Sequence, residues 1–277
     1  MFTKPAQSSD AGRRYRIDRP TFAVLMRDLR VPRRDLGPGD AIPHLDLPTT
    51  DGGRFSNATI AARGRPVMLV FGSLTCPVTE SAGAGLVELA RTYGHAVDFV
   101  VVNVREAHPG RRTPQPRTDE EKSRNAAALK AHHGFGFEVA IDDLEGTVHR
   151  AFGTRPSSAY LIEPSGTILF RAQWSNSLAA LGKALEDVLS GRAPTQTTVT
   201  QTARALAKMA AYADVPFARA GSGALADFWR AAPPAAAMVT LSRLFAFLPP
   251  RRRVVPTVAT LLVVSIVAVV AGQIALS

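Results

Sequence analysis

The run Val97-Asp98-Phe99-Val100-Val101-Val102-Asn103-Val104 is nearly continuous in β-branched and apolar residues. That is the pattern of a strand covered on both faces, not of one with a wet side. Such a strand needs helices above and below it, and the chain supplies them in alternation. Asp40 to Leu47 with Thr49 to Gly53 reads as a short strand and turn, and Pro66 to Phe71 as a second buried strand. A helix over 78–93 follows, ended by Gly94 as a C′ residue. A Pro/Arg-rich loop at 109–117 leads to a helix over 119–133, with Asp119, Glu120 and Glu121 suiting the dipole of its first turn and Gly134 closing it. A strand from Phe137 to Ile141 and a short helix from Gly146 to Phe152 come next. Ala159–Glu163 and Thr167–Arg171 form a hairpin across Pro164-Ser165-Gly166, and a helix from Leu178 to Leu189 stops near Gly191. The order β-α-β-α-β-β-α predicts an α/β fold around a central mixed sheet flanked by helices.

With 277 residues the chain can hold one ordinary domain plus appendages. Its formal charge of +10 directs attention to anionic partners. The arginines are scattered over the amino-terminal segment (Arg13, Arg14, Arg16, Arg19, Arg33, Arg34), Arg111 and Arg112, and Arg251 to Arg253, without aromatic interleaving. This favours a membrane surface over nucleic acid. Met1 to Asp10 is polar with no apolar run behind it and does not read as a secretory signal.

Residues 254–276 contain no Asp, Glu, Lys or Arg, and a helix of that length crosses roughly 30 Å of hydrocarbon at about 1.5 Å per residue. Arg251-Arg252-Arg253 immediately before it puts the preceding domain on the cytoplasmic side by the positive-inside rule. The expectation is a single-pass, tail-anchored protein with the lipid bilayer as a partner. Pro256 fits the first turn of that helix. Between Pro194 and Phe247 lies an alanine-rich stretch broken by Gly221-Ser222-Gly223 and Pro233-Pro234. The expected division is a basic extension (1–38), an α/β domain (39–192), a helical linker (193–253) that either lies in the membrane interface or packs on the main domain, and a transmembrane helix (254–276).

The only cysteine, Cys76, sits in Phe71-Gly72-Ser73-Leu74-Thr75-Cys76-Pro77, between a buried strand and a helix start. One thiol excludes an internal disulfide, so any disulfide intermediate involves another molecule, an external thiol or a redox protein. The residue has two readings, an inert core thiol or a nucleophile whose pKa the helix start depresses. Ser73 and Thr75 are either capping hydroxyls or partners of the thiolate. Glu106 and His108 follow the carboxyl end of the next strand, which opens onto the same crevice. There His108 could carry the proton with Glu106 orienting it. His44, His95, His132, His133 and His149 are expected at the surface, and neither a metal site nor a cofactor is expected.

The element order, with Cys76 at the first strand–helix junction, resembles the thioredoxin fold, and the Gly39 to Gly53 lead-in resembles peroxiredoxins of the alkyl hydroperoxide reductase type. Phe71 to Pro77, Tyr93-Gly-x-x-Val-Asp-Phe99 and Val104-Arg-Glu-Ala-His-Pro109 are similar to the iodothyronine deiodinase family, with cysteine in place of selenocysteine. The resemblance covers roughly residues 39 to 175. It implies Cys76 as nucleophile, Ser73 and Thr75 beside it, and Glu106 and His108 in the acidic and histidine positions. Two family positions differ, around Arg117 and at Ser158. The fold also implies a cis Pro156 facing Cys76; Arg155 beside it either lends charge to the thiolate or is exposed to solvent. The expected function is a thiol-dependent oxidoreductase cycling through a sulfenic acid or mixed disulfide. The alternatives are a non-catalytic binding or assembly module at the membrane and a reductive dehalogenase of a small aromatic.

Overall fold

The computed structural model describes residues 14–30 and 35–276. Met1–Asp10, Arg13, Arg33 and Arg34 lie outside the described residues. The sheet is built from β3 (Val67–Gly72), β4 (Asp98–Asn103), β5 (Glu138–Ile141), β6 (Ala159–Ile162), β7 (Ile168–Ala172) and β8 (Thr198–Val199), after a small hairpin of β1 (Asp46–Pro48) and β2 (Arg54–Ser56). The order across the sheet is β5-β4-β3-β6-β7-β8. β3 pairs parallel with β4 and antiparallel with β6, so the sheet is mixed, as in the thioredoxin-like fold. All six residues of β3 are buried. Alternate side chains point to opposite faces: Met68, Val70 and Val101 join Leu86, Leu129 and Leu181 on one side, and Leu69, Phe71, Val100 and Val102 join Phe152 and Tyr160 on the other. Each such side chain contributes about 1.5–3 kcal/mol on burial.

The helices are α1 (Phe22–Leu29), α2 (Asn57–Arg63), α3 (Pro77–Tyr93), α4 (Asp119–His133), α5 (Thr147–Ala151), α6 (Leu178–Leu189), α7 (Thr202–Tyr212), α8 (Asp214–Ala220), α9 (Ala224–Ala231), α10 (Pro233–Ser242) and α11 (Pro250–Leu276). Helix α2 and strand β8 go beyond the sequence expectation. The signal for α2 is local: Ser56 and Thr59 form a reciprocal capping box, and Gly64 ends the helix in the left-handed region. Gly94 does not adopt the expected C′ conformation, since its φ is −65°. Glycine is needed there because a Cβ would stand 2.4 Å from the Ala90 carbonyl oxygen.

The segment read as a linker packs on the α/β domain. Arg112 N and Thr113 N donate to the Ala220 carbonyl (2.9 and 3.3 Å), Thr113 Oγ1 donates to the Arg219 carbonyl, and Trp174 Nε1 donates to Thr202 Oγ1. A Cβ on Gly110 would lie 2.4 Å from the Ala220 carbonyl oxygen, so the 109–117 loop and α8 meet backbone to backbone. Helices α7 to α10 thereby form a cap. The amino-terminal segment closes the cap's other side, with α1 touching α9. Helix α11 is long and apolar enough to cross a membrane over Pro250–Ala271, with mean hydropathy 2.6. It begins before the expected span, so Pro256 lies inside the helix, not in its first turn.

Candidate active site

Strands β3 and β4 end in register, Gly72 opposite Asn103, and their carboxyl ends carry the turn 73–76 and the segment 105–108 side by side. The two segments are stitched together by side chains. Thr75 donates to Glu106 Oε2 from its backbone N (2.9 Å) and its hydroxyl (2.7 Å), while Asn125 Nδ2 donates to Oε1 (3.0 Å). Gln115 accepts from Glu106 N and donates to Glu106 O. His108 N donates to Thr75 Oγ1 (3.2 Å), and Ala107 N donates to Ser73 Oγ (3.3 Å). Burial raises the Glu106 pKa, opposed chiefly by the Thr75 hydroxyl, its backbone N–H and the charge of Lys122. Lys122 is itself brought down to about 8 by burial. The carboxylate therefore fixes the turn that carries the cysteine. Thr75 spends its hydroxyl proton on this link, Ser73 Oγ accepts in it, and the chief donors around the sulfur are other residues.

Cys76 is the N-cap of α3 and is only 3% exposed. Its pKa is raised, not depressed as the helix start alone suggests, because desolvation outweighs the donors around it. Those donors are the Thr79 and Val78 backbone N–H groups and the hydroxyls of Thr79 and Ser157. Thr79 and Ser157 were missed from sequence. Thr79 was legible as the third residue after the cap; Ser157 reaches the sulfur only through the fold.

The sulfur faces a cavity of about 110 Å³ that it shares with His108 and Pro156. Val24, Leu25 and Leu29 of α1 close one side, and Leu206 and Met209 of α7 with Phe228 of α9 close the other. Asp28 and Arg105 add a polar end. Arg105 Nη2 lies 3.4 Å from Asp28 Oδ2, and its Nη1 donates to the Tyr15 carbonyl (2.8 Å). Asp28 Oδ1, Arg105 Nε and His108 Nδ1 are buried with no hydrogen-bond partner among the described residues, though Arg27 Nε stands 3.8 Å from Asp28 Oδ1. The His108 ring packs between Phe217 and Phe228 of the cap, 5.2 and 5.0 Å between centroids. Burial lowers its pKa to about 4, so the imidazole is neutral at physiological pH.

Other expectations change. The Arg155–Pro156 peptide is trans, and Arg155 is committed to Asp35 (2.9 Å) and the Arg27 carbonyl, which the amino-terminal segment brings to it. His149 is fully buried: Tyr15 Oη accepts from Arg105 N and so donates to His149 Nδ1, leaving Nε2 to donate to the Arg155 carbonyl. His44 and His95 are exposed, whereas His132 and His133 are half-buried. Ligating atoms of Glu80, His132 and His133 lie within 4.8 Å of one another. Arg219 donates to His132 Nδ1, which keeps the proton of the neutral ring on Nε2 toward Glu80, and its positive charge disfavours a cation there. The trio ties the cap to α3 and α4.

Comparison with known proteins follows this geometry. The human thyroxine 5-deiodinase is 27% identical over 143 residues, 48% of this chain and 46% of the relative, so the chain spans about half the length of the curated relatives it matches. An uncharacterized conserved protein from Geobacillus kaustophilus is similar in structure with TM-score 0.48 and 19% identity, over 61% of this chain and 93% of the other. Peroxidoxin BcpB from Mycobacterium tuberculosis gives TM-score 0.41 and 16% identity, over 54% and 96%. Residues 38–171, which carry Cys76, Glu106 and His108, match the model of the AhpC/TSA family, and they lie within the thioredoxin-like α/β fold described above.

Proposed function

We propose that this chain is a membrane-tethered thiol oxidoreductase in which Cys76 reduces a small peroxide. The observation that carries this reading is the cavity of about 110 Å³ lined by Cys76, a neutral His108, Asp28 and Arg105. The Cys76 thiol gives its proton to His108 as the sulfur attacks the nearer peroxide oxygen. The O–O bond breaks, the sulfur becomes a sulfenic acid, and the departing alkoxide takes the proton back to leave as an alcohol. An external thiol then condenses with the sulfenic acid, releasing water and forming a mixed disulfide. A second thiol reduces that disulfide, restoring Cys76. Cavity size supports a small substrate: a cavity of about 150 Å³ is what benzene occupies in a protein core. Iodothyronine and a protein disulfide both exceed a volume of about 110 Å³ unless the cap moves. Arg251 to Arg253, in the first turn of α11, support an α/β domain on the cytoplasmic side of the bilayer.

The test is peroxide turnover by the full chain in lipid nanodiscs with a low-molecular-weight thiol, comparing wild type with Cys76→Ser. Turnover that disappears in the variant, with a sulfenic acid trapped on Cys76 by a dimedone probe, is the expected result; equal turnover in both overturns it. Burial of Cys76 and its raised pKa favour a second reading, a non-catalytic assembly module at the membrane. In that case wild type shows no turnover with peroxide, disulfide or haloaromatic substrates, while truncating residues 193–253 abolishes partner co-purification.

A further inference from the structure

We propose that the cavity between α6 and α7 is a binding site for a phosphate group carried by a small ester or a lipid headgroup. This cavity, about 440 Å³, is separate from the Cys76 chamber, and Lys183, Arg204, Lys208, Gln196 and Gln201 line it with no carboxylate among them. Arg204 and Lys208 stand four residues apart on α7, so they share one face, where like charges repel. Arg204 is exposed and has no ion pair among the described residues. Lys208 Nζ is anchored on the Asn176 carbonyl (3.1 Å), a neutral partner that leaves its charge uncompensated. Burial and the neighbouring Arg204 charge both lower the Lys208 pKa, consistent with positive charge gathered without a counter-charge. Lys183 is already held by Asp187 (2.6 Å), so Arg204 and Lys208 carry the site.

Two further features specify the ligand. The first turn of α6, from Leu178 to Ala180, lines the same cavity; Ala180 N donates to the Ser177 carbonyl (2.9 Å), and the Leu178 and Ala179 N–H groups with the helix dipole favour an anion. Ser177 precedes that turn without a side-chain cap. Asn176, 4% exposed, also lines the cavity; its Nδ2 donates to Ser81 Oγ and the Ala205 carbonyl, while its Oδ1 is buried without a partner. Asn176 in turn positions Lys208 at the cavity wall through its backbone carbonyl. Helix α11 packs along α7, with Arg253 on Asp214 (3.0 Å) just past the end of α7. Because α7 carries both this cavity and the contact with the one described helix able to cross a membrane, a lipid headgroup is one source of the phosphate and a soluble ester the other.

The experiment uses the full chain in detergent micelles titrated with inorganic phosphate, with chloride at matched ionic strength as reference and thermal unfolding as readout. A saturable rise in Tm is expected for wild type, and Arg204→Gln with Lys208→Gln should weaken it at least about tenfold. Arg251→Gln with Arg252→Gln, basic residues away from the cavity, should leave it intact. Native mass spectrometry from nanodiscs then separates the sources: retention of phosphatidylglycerol over phosphatidylcholine, lost in the Arg204/Lys208 variant, identifies a headgroup, while phosphate binding without lipid retention identifies a soluble ester. No saturable response in wild type, or an equal loss in both variants, overturns the proposal.

Discussion

Two buried polar clusters flank Cys76, and they are built on opposite principles. Beneath the turn, Glu106 has every oxygen accounted for: Thr75 gives two donors, Asn125 a third, and Gln115 brackets the backbone. Above it, Asp28, Arg105 and His108 each leave one buried polar atom without a hydrogen-bond partner. A satisfied network rigidifies a scaffold, whereas an unsatisfied one costs stability that packing elsewhere must offset. The difference teaches that Glu106 acts on the sulfur through geometry, by holding Thr75, while the upper cluster is where chemistry or recognition of a small polar group is available. Sequence reasoning put Glu106 and His108 together as one pair; the fold assigns them to different clusters.

The largest expected effect tests the lower cluster. Glu106→Ala strands three buried donors and should lower unfolding free energy by about 3 kcal/mol or more, read from the urea midpoint of the full chain. A loss below that of His108→Gln would break the comparison. His108→Gln should instead lower peroxide turnover by about 10²-fold with a smaller stability change, read as kcat/KM beside Tm. Next comes pH. The folded His108 pKa of about 4 lies below the unfolded value of 6.5, so the unfolded chain binds the proton first. Its contribution is whole above pH 6.5 and is lost as pH falls toward 4. Asp142, raised to about 6 by burial, works in the opposite sense, gaining stability as pH falls through the same range. The difference between wild type and His108→Gln cancels that share and should retain a slope of about 1.4 kcal/mol per pH unit between those limits. Equal slopes would put the imidazole in water. The smallest effect concerns the cap. Asp214 holds Arg243 (2.8 Å) and Arg253 (3.0 Å), and all three are at least partly exposed. Asp214→Asn should shift stability by at most about 1 kcal/mol yet speed alkylation of Cys76 a few-fold as the cap loosens. An unchanged alkylation rate would mean that the chamber opens elsewhere.

Much of the α/β domain was legible from periodicity. The continuous apolar runs at 67–71 and 97–104 became the central strands, and the hairpin after Pro156 took its place beside β3. Cys76, Glu106 and His108 were legible because they sit at strand ends, where neighbouring parallel strands deliver adjacent loops. Helix α2 was overlooked although Ser56 and Thr59 announced its cap. Arg105 stood inside the motif that drew attention to Glu106 and was passed over because a charged residue after a strand is usually solvated.

By itself the sequence determined what local pattern controls: which segments are strands, where helices start, that a single sulfur stands at a strand–helix junction, and that one helix is apolar enough for a bilayer. Only the tertiary structure decided what surrounds that sulfur. Residues 14–30 and 202–242 are far from Cys76 along the chain, and no periodicity encodes that they fold over it. Their apolar faces do so because burying Leu29, Leu206, Met209 and Phe228 against the domain removes them from water. That burial reverses the sign of the thiol's pKa shift, because desolvation depends on every atom within reach, whichever part of the chain it comes from.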